Sequence, residues 1–114
     1  MKDRLQLILY YKTLLPKLEN VVLNVDNRYR SLKSRMIDEE YLILELLYFT
    51  NRLDIKKRRY HQNKILAKIS LLDYMFFQLF LKKQISKEKY EKISLSLLSL
   101  TKQIQGWMKY ENNL

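Results

Sequence analysis

The feature that most limits the fold of this 114-residue chain is its lack of turn-forming residues, with one glycine, Gly106, and one proline, Pro16. Tight β-turns and phosphate-binding loops depend on glycine, which adopts positive φ at no steric cost. A sandwich, barrel or P-loop fold would need several such residues. The chain also has no cysteine, which excludes disulfides, thiolate metal sites and a cysteine nucleophile. We therefore expect a helical, cytoplasmic protein.

Apolar residues recur at helical spacing in four segments that cover most of the chain. The pattern predicts a first helix that ends in a turn within residues 20–27, and a second helix over about 27–53. A third helix is expected over about 56–84, and Ser86 is expected to cap the fourth. Because the connections are short, neighbouring helices should be antiparallel. The sequence thus predicts one all-α domain over residues 1–114, an up-down-up-down antiparallel four-helix bundle.

The second predicted helix carries two apolar stripes. One contains Met36, Ile43 and Leu47 and is expected to face the core. The other runs at spacings of four, three and four residues and points about 100° away from the first. Since one face is enough for the core, we predict that the second stripe is a protomer interface in a homo-oligomer. Its residues are Leu42, Leu46, Phe49 and Leu53.

Positive charge is concentrated in the third predicted helix. The chain has 22 Lys and Arg against 12 Asp and Glu, a formal charge of +10, and residues 55–85 hold eight basic residues and one acidic residue. A helix built for solubility usually interleaves Glu with Lys. The acid-poor composition of the third predicted helix therefore favours the binding of an anionic ligand. Lys57, His61, Lys64 and Lys68 share about 60° of arc on this helix. We predict that this stripe binds a polyanion, and a merely solvated helix face is the alternative.

The sequence contains no motif of a catalytic nucleophile. His61 is the sole histidine, and its cationic neighbours Lys57 and Lys64 suit phosphate contact better than general-base work. The consecutive acids at 38–40 point in different directions on a helix, which disfavours a metal site. No stretch has the roughly 18 uncharged apolar residues of a membrane span. We expect no enzymatic activity, no metal, no cofactor and no membrane contact, while Tyr60 is a candidate for stacking on a base.

Four short stretches carry a resemblance to a known family. They are LLPKLE at 14–19, RYRSL at 28–32, NR at 51–52 ahead of the basic run, and IQGWMK at 104–109. In order and spacing they resemble the accessory variability determinant (Avd) proteins of diversity-generating retroelements, relatives of the four-helix-bundle proteins encoded in ribosomal-RNA intervening sequences. The likeness spans about residues 10–110. The Gly-Trp pair is its most specific element, and we expect this glycine to allow close helix packing.

The resemblance implies a basic bundle that forms a pentameric ring, binds the reverse transcriptase of the element, and binds RNA and DNA without strong sequence preference. In that family the protein supports mutagenic copying of a template repeat into a variable repeat. By position, the basic residues after Asn51 match the family's Arg/Lys-rich region. Together with the stripe, the candidates for nucleic-acid or polymerase contact are Arg52, Lys56, Lys57, Arg58, Arg59, His61, Lys64 and Lys68.

Two alternatives stay open at this point. One is an oligomeric bundle of the intervening-sequence type, which binds nucleic acid or an acidic partner and has no polymerase partner. The other is a helical adaptor that docks an acidic protein through its basic stripe.

Overall fold

A computed structural model describes residues 4–114. Its helices are α1 (Arg4–Leu23), α2 (Arg30–Arg52), α3 (Ile55–Leu81) and α4 (Lys87–Asn112), with a 3-10 turn at Asn27–Tyr29. Within the described residues no strand occurs, each helix packs against the next, and α1 closes the bundle against α4. The predicted all-α four-helix bundle is confirmed, and its helix bounds follow the apolar periodicity closely.

Side chains satisfy backbone groups at two of the helix ends. The Lys33 ammonium group donates to the carbonyl oxygens of Leu23 at 3.2 Å and Val25 at 2.6 Å, so a cation satisfies the carboxyl end of α1. At the start of α4, the Ser86 hydroxyl accepts from the Lys89 amide at 3.0 Å, which is the predicted cap. α1 continues through the exposed Pro16 as one helix.

The core consists of the apolar faces that the spacing predicted. Its largest fully buried side chains are Trp107, Tyr11, Phe76, Leu7, Leu18, Met36, Ile43, Leu47, Ile65, Leu72, Leu79 and Leu97. Each contributes roughly 1.5–3 kcal/mol by leaving water, so this set dominates the stability of the bundle. Gly106 does not have the packing role that we expected from the sequence. It is exposed, and an added Cβ would meet nothing within 4 Å, so close helix packing does not require a glycine there.

The second apolar stripe of α2 does not form one open face. Leu46 is buried within the chain, and Leu42 packs partly against the core. Leu53 is half-buried, whereas Phe49 is 49% exposed. The stripe lies on the flank of α2 that meets α3, where the Phe49 ring contacts His61. The predicted role of this stripe as a protomer interface is not tested by a single chain, and Phe49 is its most exposed residue.

A buried carboxyl group lies between α1 and α2. Glu40 is fully buried, and neither of its side-chain oxygens has a hydrogen-bond partner among residues 4–114. The Tyr11 hydroxyl donates to the backbone carbonyl of Glu40 at 2.5 Å, not to its carboxyl group. Burial, and then the negative charge of Glu19, raise the pKa of Glu40 to about 8. Glu40 is therefore protonated at neutral pH in the folded protein.

This burial makes the stability depend on pH. The folded state retains the Glu40 proton up to about pH 8, whereas the unfolded chain loses it near the ordinary carboxyl pKa of 4.5. The free energy of unfolding should thus fall by about 1.4 kcal/mol per pH unit across this interval and level off above it. Glu40→Gln should remove that slope and raise stability at pH 7 by about 3 kcal/mol. Urea denaturation between pH 4.5 and 8.5 measures both effects.

Glu39→Gln is the matched control for this experiment. Glu39 is also buried, but it forms ion pairs with Arg35 at 3.3 Å and Lys68 at 3.0 Å. Its neutralisation should lower stability at pH 7, because it leaves Lys68 without a counter-charge. Parallel pH profiles for the wild type and Glu40→Gln would contradict the prediction.

Candidate nucleic-acid interface

The predicted basic stripe lies on the flank of α3 beside α2, and its two ends differ. Lys57 and Lys64 are exposed and form no ion pair within residues 4–114. His61, between them, is half-buried. Lys68 is different because its ammonium group lies 3.0 Å from the Glu39 carboxylate of α2. The amino-terminal half of the stripe therefore presents unneutralised charge, while its last lysine joins two helices.

Arg58 belongs to a buried polar network between α3 and α4. One of its guanidinium nitrogens forms an ion pair with Glu111, and another donates to the backbone carbonyl of Asn51 at 3.2 Å. The Glu111 carboxylate also accepts from the Gln62 amide at 3.0 Å and the Trp107 indole at 2.8 Å. Only 6% of the Arg58 surface is exposed. The structure thus gives this candidate contact residue a role in holding the bundle together.

The other basic residues near the start of α3 lie on the surface. The Arg59 guanidinium donates to the Asn112 side chain and, at 3.4 Å, to the Met108 carbonyl oxygen of α4. Arg52 and Lys56 line a shallow groove at the same end of the bundle, together with Asp54. Because this end combines several cations with the amino terminus of α3, its field attracts anions.

Local charge at the start of α3 is unfavourable to the helix itself. The first turn contains no acidic residue, although acids are the stabilising type at the positive end of a helix dipole. Asp54 occupies the capping position but makes no side-chain capping hydrogen bond. Lys56 and Lys57 instead add positive charge where the dipole is already positive. An anion bound here would relieve this repulsion.

Three aromatic rings from two helices meet beside these lysines. The ring centroids of Phe49 on α2 and His61 on α3 lie 5.1 Å apart with planes at 71°. The Tyr60 and His61 rings also lie 5.1 Å apart, with planes at 88°. We call Phe49, Tyr60 and His61 the aromatic patch. Tyr60 is 71% exposed, so a large aromatic surface faces solvent next to Lys57 and Lys64.

Sequence spacing identified Tyr60 and His61 as neighbours of the basic run but placed Phe49 in a protomer interface. No periodicity could join residues of different helices, since the contact depends on how α2 and α3 pack. The usable signal was an aromatic residue on the predicted second stripe near the end of its helix. The pairings of Arg58 and Lys68 were equally invisible, because their partners lie 53 and 29 positions away.

No protein-family model, curated protein or solved structure matches this chain. The resemblance to Avd proteins therefore rests on the sequence motifs alone. The Trp107 of the Gly-Trp pair is buried, and its indole binds Glu111. Within residues 4–114, none of the four helices combines the length and the apolar character that a membrane span needs. In that same range, no three potential metal-ligating side chains come together.

The Arg58 and Glu111 network makes a prediction about stability. Glu111→Gln should lower the free energy of unfolding by about 3 kcal/mol, because it leaves a buried guanidinium group without its counter-charge. Glu88→Gln is the control, since Glu88 forms an exposed pair with Lys92 at 3.4 Å in the first turn of α4 and its loss should cost at most about 1 kcal/mol. Chemical denaturation of both variants tests the network. Equal stability of the two variants would refute the structural role that we assign to Arg58.

Proposed function

We propose that this chain is a nucleic-acid-binding accessory protein that acts with a reverse transcriptase, in the manner of the Avd proteins it resembles. The observation that carries the binding part is the unpaired basic surface at the start of α3. Lys56, Lys57 and Lys64 are exposed there without an acidic partner among the described residues, and the aromatic patch adjoins them. Lysines beside exposed aromatic rings suit phosphate and base together.

The positions of the cations favour binding without strong sequence preference. Lysine ammonium groups contact phosphates as point charges, and phosphate contacts carry no direct sequence information. The chain's net charge of +10 adds a long-range attraction for RNA or DNA. Mutagenic copying of a repeat requires an accessory protein that tolerates changing sequence, which agrees with this kind of contact.

The polymerase part of the proposal is supported by the four motifs. The proposal also includes a homo-oligomer, namely the pentameric ring that the resemblance implies. In such a ring the charge of +10 per chain would repeat in every protomer, so the assembly would repel itself unless anions neutralised it. The binding of a polyanion is therefore also expected to stabilise the oligomer. The alternative is an intervening-sequence-type bundle with the same basic surface and no polymerase partner.

The binding surface can be tested with a charge-matched pair of variants. Combined Lys56→Gln, Lys57→Gln and Lys64→Gln should weaken RNA binding at low salt and reduce the slope of log K against log salt by about two to three. Lys68 is left unchanged because it holds Glu39. Fluorescence anisotropy with a labelled RNA across a salt series gives both quantities.

The control variant removes three exposed lysines at the opposite end of the bundle, Lys82, Lys87 and Lys89. It changes the net charge equally, so it should keep most of the affinity and most of the salt slope. An equal loss in both variants would show that binding follows net charge and not this surface. A wild-type chain that binds neither RNA nor DNA at low salt would refute the proposal.

Association with a polymerase distinguishes the proposal from its alternative. The reverse transcriptase encoded nearest to this gene, if co-expressed with the chain, should co-purify with it at moderate salt after nuclease treatment. Light scattering of the chain at moderate salt, where ions screen the repulsion between protomers, should give about five times its 14.0 kDa mass. Nucleic-acid binding without polymerase association would favour the intervening-sequence alternative, and a monomer would contradict the ring.

A further inference from the structure

We infer that the aromatic patch stacks on unpaired bases, so that this surface selects single-stranded nucleic acid over duplex. The inference rests on the proposed function and deepens it, because it names the class of nucleic acid and the residues that distinguish it. Tyr60 and Phe49 supply the stacking faces, and His61 holds them apart. Lys57 and Lys64 contact the phosphates on either side.

The geometry of the patch leaves ring faces open. His61 meets both neighbours edge to face, with interplanar angles of 71° to Phe49 and 88° to Tyr60. The three rings therefore do not stack on one another. Tyr60 is 71% exposed and Phe49 49% exposed, in a chain whose Trp107, Tyr11 and Phe76 are almost fully buried. A π face that is neither buried nor stacked is available to a base.

The His61 ring is supported from within the bundle. The residue is half-buried, and its Nδ1 atom has no contact with solvent and no hydrogen-bond partner among residues 4–114. The ring therefore acts as a spacer between two helices. Because it contacts both Phe49 and Tyr60, it fixes the separation of their exposed faces. This preorganisation lowers the entropy cost of stacking two bases at once.

The lysines are placed to follow a single strand. Lys57 and Lys64 are seven residues apart on α3, which corresponds to about 10 Å along the helix axis. The two cations can therefore contact phosphates of neighbouring nucleotides of one strand, with Tyr60 lying between the two cations. Exposed acids nearby are Glu45, one turn before Phe49, and Asp54 at the start of α3. These carboxylates repel phosphates on their own sides of the aromatic patch. The continuous surface for a nucleic-acid strand therefore consists of Lys57, Tyr60 and Lys64.

A duplex cannot use the aromatic patch, because its base faces are already covered by neighbouring bases. It can still contact the lysines through its phosphates. The two kinds of side chain should therefore separate in an experiment. Loss of an aromatic face should weaken binding of single strands alone, whereas loss of the lysines should weaken binding of both forms.

The experiment uses a single-stranded RNA that carries 2-aminopurine at its centre, and the duplex of the same sequence. Binding of the wild type to the single strand should quench the 2-aminopurine fluorescence as the base stacks. Tyr60→Leu should abolish the quench and weaken single-strand binding roughly tenfold, in line with the loss of one stacked base. Duplex affinity and the salt slope should not change. Phe49→Leu should produce a smaller loss of the same kind.

Two further variants control for general surface effects. Tyr60→Phe keeps the ring and should retain both the quench and the affinity. Tyr74→Leu removes another exposed tyrosine of α3, 58% exposed and outside the aromatic patch, and should leave binding unchanged. Circular dichroism and light scattering of each variant show whether fold or oligomeric state has changed.

The outcomes separate this inference from the proposed function. If Tyr60→Leu leaves single-strand binding unchanged, or weakens single strand and duplex equally, the inference is wrong while lysine-dependent binding stands. If Phe49→Leu alters the oligomeric state and not the quench, Phe49 belongs to a protomer interface and the two-ring platform is wrong. If the wild type binds no nucleic acid, the inference and the proposed function both fail.

Discussion

The buried ion pair between Arg58 and Glu111 links the start of α3 to the end of α4 and holds Arg58 inside the bundle, in line with the apolar face of α3. Once Arg58 points into the bundle, helical geometry determines the direction of each neighbour. Lys57 then lies toward α2, and Tyr60 turns outward. A buried pair of this kind contributes little net stability relative to apolar packing, but breaking it is costly. We therefore regard it as a device that fixes register, and the proposed binding surface depends on that register.

The basic residues divide into those that stabilise the fold and those that are exposed for binding a ligand. Arg58 and Lys68 are neutralised by carboxylates of α4 and α2, and Lys33 satisfies carbonyl groups at the end of α1. Among the lysines of α3, Lys56, Lys57 and Lys64 form no ion pair within residues 4–114, and the first two lie in the first turn, where the helix dipole adds to their field. The functional surface is thus smaller than the basic run of the sequence. It gains an aromatic component from α2 that the run does not contain.

Particular residues show how far sequence reasoning reached. The apolar spacing predicted the helices and most of the core, because one buried face repeats with the helical period whatever the neighbours are. Lys57 and Lys64 were correctly placed on one flank of α3, since that depends on a single helix. The environments of Phe49 and Arg58 were predicted less well. Their surroundings depend on side chains from other helices, and no periodicity within one helix contains that information.

The acidic triplet of α2 illustrates the division most clearly. The sequence by itself determined that Asp38, Glu39 and Glu40 occupy successive directions on a helix. Tertiary structure alone decided their environments: Asp38 is exposed, Glu39 is buried and paired with cations, and the buried Glu40 carboxyl group has no hydrogen-bond partner within residues 4–114. Helix formation and amphipathicity are local, so the order of residues specifies them. Which charges meet, and which rings share a surface, depends on how helices pack, and that is decided by the whole bundle at once.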